Sequence, residues 1–235
     1  AAKLRYMSGG QVSVPVTFRL PVGANRRGAQ HAQCSESIFM NVAGLYVVVP
    51  STAFDAKGLL ISAIRNRNPV LFYEHKLLYT TGGERSDLPD ELVTDVPEEA
   101  YTIPFGEAVV RRHGNDVTVV ATMLMAHRAI HAAHELAGKI DIEVIDPRTL
   151  IPLDVETIAR SVRKTRTLIV IEECQAIGSW GNDVIASVAE VMTEPFRVKR
   201  IATEPTPTPY TTVLENRVIP GVERIVATIR EFMGG

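Results

Sequence analysis

The stretch VTVVATMLMAHRAIHAAHELAGKIDIEVIDP, residues 117–147, decides the fold class. Its two ends, VTVVAT (117–122) and IEVIDP (142–147), are short apolar runs rich in β-branched residues, and each predicts a buried strand. The residues between them, from about 125 to 138, predict a helix. Strands that alternate with helices of this length are typical of a mainly parallel sheet with helices on both faces, so the stretch indicates an α/β fold.

The same alternation continues to the end of the sequence. The further predicted elements are a helix at LDVETIARSVRKT (153–165), a strand at TLIVIEE (167–173), a helix at WGNDVIASVAEVM (180–192), a strand at VKRIAT (198–203) and a helix at GVERIVATIREFM (221–233). Sheets of this kind place functional groups at the carboxyl ends of their strands. A functional site is therefore expected at those strand ends.

The first part of the chain predicts a second α/β block. Its predicted strands are VSVPVTFRL (12–20), LYVVVP (45–50) and PVLFYEH (69–75). A helix is predicted over 51–67, with Ser51 as its N-cap, and a shorter helix over 31–44.

Two other segments bear on how the chain is organised. Residues 80–103 are acidic, contain Gly and Pro and show no sustained period, which is typical of an interdomain linker. The opening AAKLRYMSGGQ (1–11) is typical of the tail of a helix that enters a Gly-Gly turn. We expect the chain to begin inside a domain whose earlier part lies elsewhere.

The composition excludes several classes of protein. With 46% apolar and 22% charged residues, the 235-residue chain has the profile of an ordinary globular protein. Its net charge of −2 shows no excess of positive charge, which binding to nucleic acid or to an anionic membrane would favour. No apolar run approaches the roughly 20 residues that a membrane span requires. The sequence has two cysteines, Cys34 and Cys174, which are too few for a disulfide framework. This low cysteine content is typical of a protein in the reducing cytosol.

Common motifs of self-contained enzymes are missing from the sequence. It contains no GxGxxG, GxxxxGK[ST], HExxH or GxSxG. Neither a nucleotide site complete in this chain nor a serine-hydrolase elbow is therefore expected, and a stand-alone enzyme becomes a weaker hypothesis.

Three histidines share the predicted helix of the opening stretch. His127, His131 and His134 are spaced so that two or three imidazoles lie on one helix face. No carboxylate or cysteine nearby completes the four ligands that zinc usually takes. The pattern favours a packing or solvated face over a ligand face.

The stretch GAQHAQCSE (28–36) holds the remaining candidates for chemistry. His31 and Cys34 are spaced as neighbours on a helix, but no third group orients them as a nucleophile and its base, which favours a packed, unreactive Cys34. His31 follows a Gly-rich loop and is predicted to open a helix, where backbone N–H dipoles lower the pKa of an imidazole. The residues alone leave a structural and a catalytic His31 both open.

Several longer strings resemble a known family. They run in order along the chain, and they are YMSGGQVSVPVTFRLPVG (6–23), GAQHAQCSE (28–36), GLYVVVPSTAFDAKGLLISAIRNRNPVLFYEHKLLY (44–79), DPRTLIPLD (146–154), IVIEECQAIGSWGNDV (169–184) and PYTTVLENRVIP (209–220). The sequence resembles the β subunit of thiamine-diphosphate-dependent 2-oxo acid dehydrogenases, the decarboxylating component of pyruvate, branched-chain 2-oxo acid and acetoin dehydrogenase complexes.

The resemblance implies a fold and an activity. Residues 1–80 are then the latter part of a pyrimidine-binding domain, 81–104 a linker and 105–235 a transketolase-type C-terminal α/β domain with a mainly parallel sheet. Such β subunits decarboxylate a 2-oxo acid, or cleave acetoin, and reductively acylate a lipoyl group. The cofactor supplies the electron sink, and the protein supplies orientation, proton transfer and exclusion of water.

The resemblance also implies cofactors, partners and a location. Thiamine diphosphate and Mg²⁺ lie at the interface with an α subunit, in an assembly that also contains a second β subunit. The lipoyl domain and the dihydrolipoyl acyltransferase core are further partners. The expected compartment is the cytoplasm, or the mitochondrial matrix in a eukaryote.

Individual residues take roles from the same resemblance. His31 matches the active-site histidine that handles protons during reductive acylation. A structural potassium site is implied at Val16, Ala63, Ile64, Asn66 and Asn68, with Asn66 where the family often has Asp. An amide oxygen still suits a hard cation, but the lost charge weakens that site, and a capped helix end is the alternative. Arg27 is a candidate to bind substrate carboxylate or cofactor phosphate, with a solvated side chain as the alternative.

One departure bears on the whole site. The family's cofactor-activating glutamate matches no position in this sequence, so the chain by itself is not expected to complete a thiamine-diphosphate site. A non-catalytic module for dimerisation and docking on the acyltransferase core is therefore an alternative. Another transketolase-like enzyme is a third reading, which DPRTLIPLD and AIRNRN disfavour. The sequence does not indicate which 2-oxo acid is the substrate.

Overall fold

Two mainly parallel sheets organise the chain in the computed structural model, which describes residues 1–79 and 89–234. The first sheet has the spatial order β1 (Thr17–Val22), β3 (Val70–His75), β2 (Tyr46–Val48) and β7 (Thr149–Ile151). The second has the order β4 (Val109–Arg112), β6 (Ile142–Asp146), β5 (Val117–Ala121), β8 (Thr167–Gln175) and β9 (Arg197–Thr203). The α/β fold with mainly parallel sheets, predicted from the strand and helix alternation, is confirmed.

Helices connect and cover these strands. They are α1 (Leu4–Met7), α2 (Glu36–Met40), α3 (Ala53–Arg65), α4 (Met123–Glu135), α5 (Val155–Thr165), α6 (Trp180–Val191), α7 (Thr212–Val218) and α8 (Val222–Gly234), with 3₁₀ turns at Lys76–Leu78 and Asp90–Leu92. None of the helices in the described ranges is long and apolar enough to cross a membrane.

The sequence missed elements that depend on tertiary contacts. β4 and β7 pair antiparallel at sheet edges, against β6 and β2 respectively, and neither has an apolar run of its own. The seven-residue α7 was also not predicted. The predicted linker is described only from residue 89 onward, and its remaining residues, 80–88, lie outside the described part of the chain.

The two blocks share one core. β7 follows β6 of the second sheet but joins the first sheet beside β2. A single apolar cluster contains Val47 and Tyr73 from the first block together with Ile145, Leu168 and Trp180 from the second. Burial of this apolar surface favours one fixed arrangement of the two sheets.

A hydrogen bond at the start of α4 links the two blocks. The N-cap of α3 is Thr52, whose side chain accepts a hydrogen bond from the Asp55 N–H at 3.1 Å, so the prediction of Ser51 as this cap is wrong. Ser51 Oγ instead accepts from the Met123 N–H at 2.7 Å, at the start of α4. The hydroxyl therefore satisfies a helix-terminal donor in the opposite block.

A buried ion network also crosses between the blocks. Arg111 donates to Asp55 of α3 and, at 2.8 Å, to Asp146 at the end of β6. The arginine side chain is only 6% exposed and both aspartates are fully buried. Burial lowers the pKa of Arg111, but the two carboxylates raise it by more, so the guanidinium stays charged. Charges buried this completely persist only when paired.

We predict that Arg111→Met destabilises the protein by about 3–5 kcal/mol, because it leaves two buried carboxylates without their shared cation. Urea denaturation of both proteins measures the change. The control is Arg163→Met, which breaks an exposed pair with Glu156 on α5 and should change stability far less. Equal effects of the two substitutions would contradict the structural role of this network.

Candidate functional site

The carboxyl ends of strands from both sheets meet at one place. In the first sheet, Val22 at the end of β1 lies beside His75 at the end of β3. From the second sheet, Glu173 near the end of β8 reaches His75, with 2.8 Å between Glu173 Oε2 and His75 Nε2. Since parallel α/β sheets carry function at these ends, this junction is the candidate functional site.

His31 lies next to the junction, on the loop that follows β1. Its side chain is exposed, and it sits in a turn rather than on a helix. The prediction that His31 opens a helix is wrong, because α2 begins only at Glu36. The buried Ala32 packs into the core of the second block. His31 therefore does not lie at a helix N-terminus, and no helix dipole acts on its imidazole.

The beginning of this loop has a shape that few residues can adopt. Gly23 has φ +85°, and a Cβ built on it would lie 2.0 Å from His75 Nε2. Only glycine lets the backbone pass this close to the imidazole. The next residue, Ala24, donates its N–H to Glu173 Oε1 at 2.6 Å. Two residues on, the Arg26 N–H donates to Glu215 Oε2 at 2.9 Å.

Hydrogen bonds hold both ring nitrogens of His75. Its Nδ1 accepts from the Leu77 N–H at 3.2 Å, and its Nε2 lies 2.8 Å from Glu173 Oε2. Burial raises the pKa of Glu173, but the nearby His75 and the hydrogen bonds from His75 and from the Ala24 N–H lower it by more, and the net pKa lies below its usual value. Glu173 is thus a buried, ionised carboxylate.

The far end of the loop is held by Lys76, the residue after His75. Lys76 Nζ donates to the carbonyl oxygen of His31. Partial burial lowers the pKa of Lys76. The backbone of His31 is therefore tied to the end of β3 while its imidazole remains exposed.

The two cysteines lie together beside the junction as free thiols. A hydrogen bond with Cys174 and burial raise the pKa of Cys34 well above its usual value. The bond with Cys34 lowers the pKa of Cys174, but burial and the nearby carboxyls raise it by more, to about 12. Thiols held this firmly protonated are poor nucleophiles, which agrees with the packing role expected for Cys34.

Glu36, at the start of α2, completes this buried cluster. Its Oε2 accepts from Cys174 Sγ at 3.3 Å, and its Oε1 is buried with no hydrogen-bond partner in the described part of the chain. Burial raises the pKa of Glu36 to about 7, because hydrogen bonds from its own backbone N–H and from the Cys174 thiol compensate only part of the cost of ionisation.

The three histidines of α4 do not form a metal site. His127 is buried, with Nε2 2.7 Å from the Ser51 carbonyl oxygen, and burial lowers its pKa to about 4. His134 is exposed and pairs with Glu91 at 2.7 Å. Within residues 1–79 and 89–234, no group of three or more His, Cys, Asp and Glu side chains could hold a metal ion.

The residues implied in a potassium site lie near the end of α3 and the start of β3. The Val16 carbonyl accepts from the Val70 N–H at 2.9 Å, and the Ala63 carbonyl accepts from the Asn66 N–H at 3.1 Å. Asn66 Oδ1 accepts from the Asn68 N–H at 2.9 Å. Oxygens of this kind are the ligands that a hard cation prefers, and the potassium site stays a prediction.

Two cavities flank the loop that carries His31. One, of about 340 Å³, is lined by Arg26, Arg128, Glu173 and Glu215. The other, of about 370 Å³, is lined by Gln33, Cys34, Cys174 and Thr206. Arg27, the second arginine of the loop, is exposed. His31 thus lies on a surface with room for a ligand on either side of its loop.

Sequence reasoning found His31 but missed Glu173 and His75. The two residues are 98 positions apart, and no motif spans them. A signal was present in IVIEE, where two acidic residues end an apolar strand, since a carboxylate at that place is either buried with partners or at a site.

Family models match most of the chain. Residues 1–81 match the transketolase pyrimidine-binding domain and residues 106–225 match the transketolase C-terminal domain. Among solved structures, a split-gene transketolase described as an inactive β4 tetramer superimposes with a TM-score of 0.76 and 23% identity, over 94% of this chain and 68% of that one. At this identity the likeness supports the fold alone.

Curated relatives are closer in sequence. The β subunit of acetoin:2,6-dichlorophenolindophenol oxidoreductase is 43% identical in Cupriavidus necator and 41% identical in Bacillus subtilis, over 100% and 99% of this chain. The pyruvate dehydrogenase E1 component subunit β of Rhizobium meliloti is 39% identical over 98% of this chain. The chain spans 68%, 66% and 49% of the length of these three relatives.

We predict that the stability difference in favour of Glu36→Gln over the unsubstituted protein is larger at pH 8 than at pH 5. The folded state keeps Glu36 protonated to about pH 7, whereas the usual pKa of 4.5 lets the unfolded chain release the proton earlier. Stability is therefore lost as the pH rises from 4.5 through 7, and glutamine, which cannot ionise, avoids that loss. Urea denaturation should show a relative gain of about 3 kcal/mol at most.

A second variant separates ionisation from packing. Glu36→Ala also removes the carboxyl but leaves a cavity, so it should lower stability at both pH values while showing the same pH trend as Glu36→Gln. A stability difference between Glu36→Gln and the unsubstituted protein that does not change with pH would contradict the raised pKa.

Proposed function

The chain belongs to the family of β subunits of 2-oxo acid and acetoin dehydrogenases, and from this membership we propose that it acts with an α subunit in the cleavage of a 2-oxo acid or acetoin. The acyl group formed is transferred reductively to a lipoyl group. The observation that carries this proposal is the placement of His31, exposed at the carboxyl ends of the strands on a loop whose backbone is tied to buried groups.

His31 is assigned proton transfer. When a lipoyl disulfide accepts an acyl group on one sulfur, the other sulfur becomes a thiolate that needs a proton. An imidazole within hydrogen-bond reach of that sulfur is suited to deliver it. The exposed ring gives a lipoyl arm access, while the Lys76 contact holds the backbone of His31 in place.

The family depends on thiamine diphosphate, which supplies the electron sink when bound. The part of this chain that the structure describes contains no cluster of acidic residues and histidines for Mg²⁺. We therefore assign the Mg²⁺–diphosphate contacts to the α subunit. This chain contributes His31, with the exposed Arg27 on the same loop as a candidate contact for an anionic group of substrate or cofactor.

The remaining partners follow from the same proposal. A lipoyl domain brings its arm to His31, a second β subunit completes the assembly, and the dihydrolipoyl acyltransferase core holds both. Exposed apolar side chains around α7, namely Tyr210, Val213 and Leu214, offer surface for such contacts.

We predict that His31→Ala lowers reductive acylation of a lipoyl domain by about 100-fold or more in the natural chain assembled with its α subunit, because the proton donor is removed. Acylation is measured by mass spectrometry of the lipoyl domain. His113→Ala is the control, since His113 is also an exposed histidine but pairs with Glu143 in the second block. Normal acylation by His31→Ala would refute the role of His31.

We also propose that the oxygens of Val16, Ala63, Ile64, Asn66 and Asn68 bind potassium. We predict that the melting temperature of the protein is higher in KCl than in choline chloride of equal concentration, because a ligand that binds only the folded state stabilises it. Differential scanning calorimetry measures the shift. Asn66→Asp should enlarge the shift, because a carboxylate attracts the cation more strongly than an amide. Equal melting temperatures in both salts would contradict the site.

A further inference from the structure

Loop 23–31, the segment from Gly23 to His31, is fastened at both of its ends. Near its start the Ala24 N–H bonds Glu173, and at its end the His31 carbonyl bonds Lys76. We propose that Glu173 is a positioning residue for His31: from the second block it fixes loop 23–31 and the end of β3 together. This inference rests on the proposed role of His31 in acyl transfer.

Glu173 uses both oxygens for this purpose. Oε1 accepts from the Ala24 N–H at 2.6 Å and Oε2 accepts from His75 Nε2 at 2.8 Å. Its side chain is 6% exposed and that of His75 is 1% exposed, so bulk water competes little for either bond. A charge-assisted bond of this kind is stronger than a bond between neutral groups.

His75 passes the restraint to Gly23. The ring occupies the space where a Cβ of Gly23 would lie, so the imidazole and the loop backbone are in direct contact. The Leu77 N–H holds the other ring nitrogen and prevents the ring from turning. A displaced Glu173 therefore removes one of the two ring bonds of His75 together with the bond to the Ala24 amide.

The chain then carries the restraint to the far end of the loop. Lys76 directly follows His75, and its ammonium group bonds the His31 carbonyl. His31 is thus tied to Lys76, and Ala24 is tied through Glu173 to the adjacent His75. Glu173, from the second block, bonds His75 and the loop at once.

A matched control stands next to Glu173. Glu172 is fully buried, and its oxygens accept from Ser179 Oγ at 2.8 Å and from the Gly181 N–H at 3.1 Å, both within the second block. Its pKa is raised to about 7 by burial, so glutamine resembles its protonated form. Glu172→Gln changes a buried carboxyl at the same strand end without touching loop 23–31.

The first experiment measures the loop directly. Hydrogen exchange with mass spectrometry is followed in the natural chain assembled with its α subunit, for Glu173→Ala, Glu173→Gln and Glu172→Gln. Glu173→Ala should accelerate exchange in peptides that contain residues 23–31. Glu173→Gln should have an intermediate effect, because an amide offers one acceptor where two are used. Exchange in this loop at the unsubstituted rate in Glu173→Ala would overturn the inference.

The second experiment asks whether Glu173 acts through His31. Glu173→Ala should lower the turnover number for lipoyl acylation about ten- to a hundredfold, since a small displacement of a catalytic group costs this much, with KM changed far less. In the double variant His31→Ala/Glu173→Ala, the second substitution should cause no further loss, because the residue it positions is already absent. Losses that multiply would overturn the positioning role.

The two experiments keep this inference apart from the proposed function. If the His31→Ala variant acylates the lipoyl domain at the normal rate, the proposed function fails, and loop 23–31 then has no catalytic role. The exchange rates still decide whether Glu173 holds loop 23–31. If Glu172→Gln accelerates exchange in the loop as much as Glu173→Ala does, general loosening of the strand end explains both, and the inference is overturned.

Discussion

The bond between the Glu173 carboxylate and the His75 imidazole is the contact on which the site depends. A carboxylate that is largely removed from water stays ionised where donors replace its hydration. Here the donors are His75 and the Ala24 amide, and both belong to the block opposite to that of Glu173. Separating the blocks would break both bonds, and this couples the arrangement of the sheets to the shape of the loop.

The carboxyls at this junction differ in protonation because their donors differ. Glu173 has an imidazole and a close amide, and its pKa is lowered despite burial. The donors of Glu36 are its own backbone N–H and a thiol, and those of Glu172 are a hydroxyl and an amide. Neither set offsets burial, and the pKa of each carboxyl rises to about 7. The ionised Glu173 thus lies near two carboxyls, Glu36 and Glu172, whose pKa values are close to physiological pH.

The sequence predicted elements whose cause is local and missed those whose cause is tertiary. The apolar runs at 117–122 and 167–173 became β5 and β8, since buried strands carry their own signal. β7 is three residues long and exists only because β2 offers an edge, so no local pattern marks it. Ser51 has the chemistry of a cap, but which helix it caps depends on the opposite block. The histidine at position 31 was found by resemblance, whereas the residues that hold it lie far apart in sequence.

An exposed side chain on a buried framework meets two demands of the proposed function. Under that proposal a proton passes between the imidazole of His31 and a mobile lipoyl arm, which requires access from solvent. Proton transfer also requires hydrogen-bond distance, so the group cannot wander. Placing the ring on the surface while fixing the backbone of its loop from below meets both conditions. It also explains why the loop needs glycine at position 23, because the holding imidazole must approach the backbone more closely than any side chain would allow.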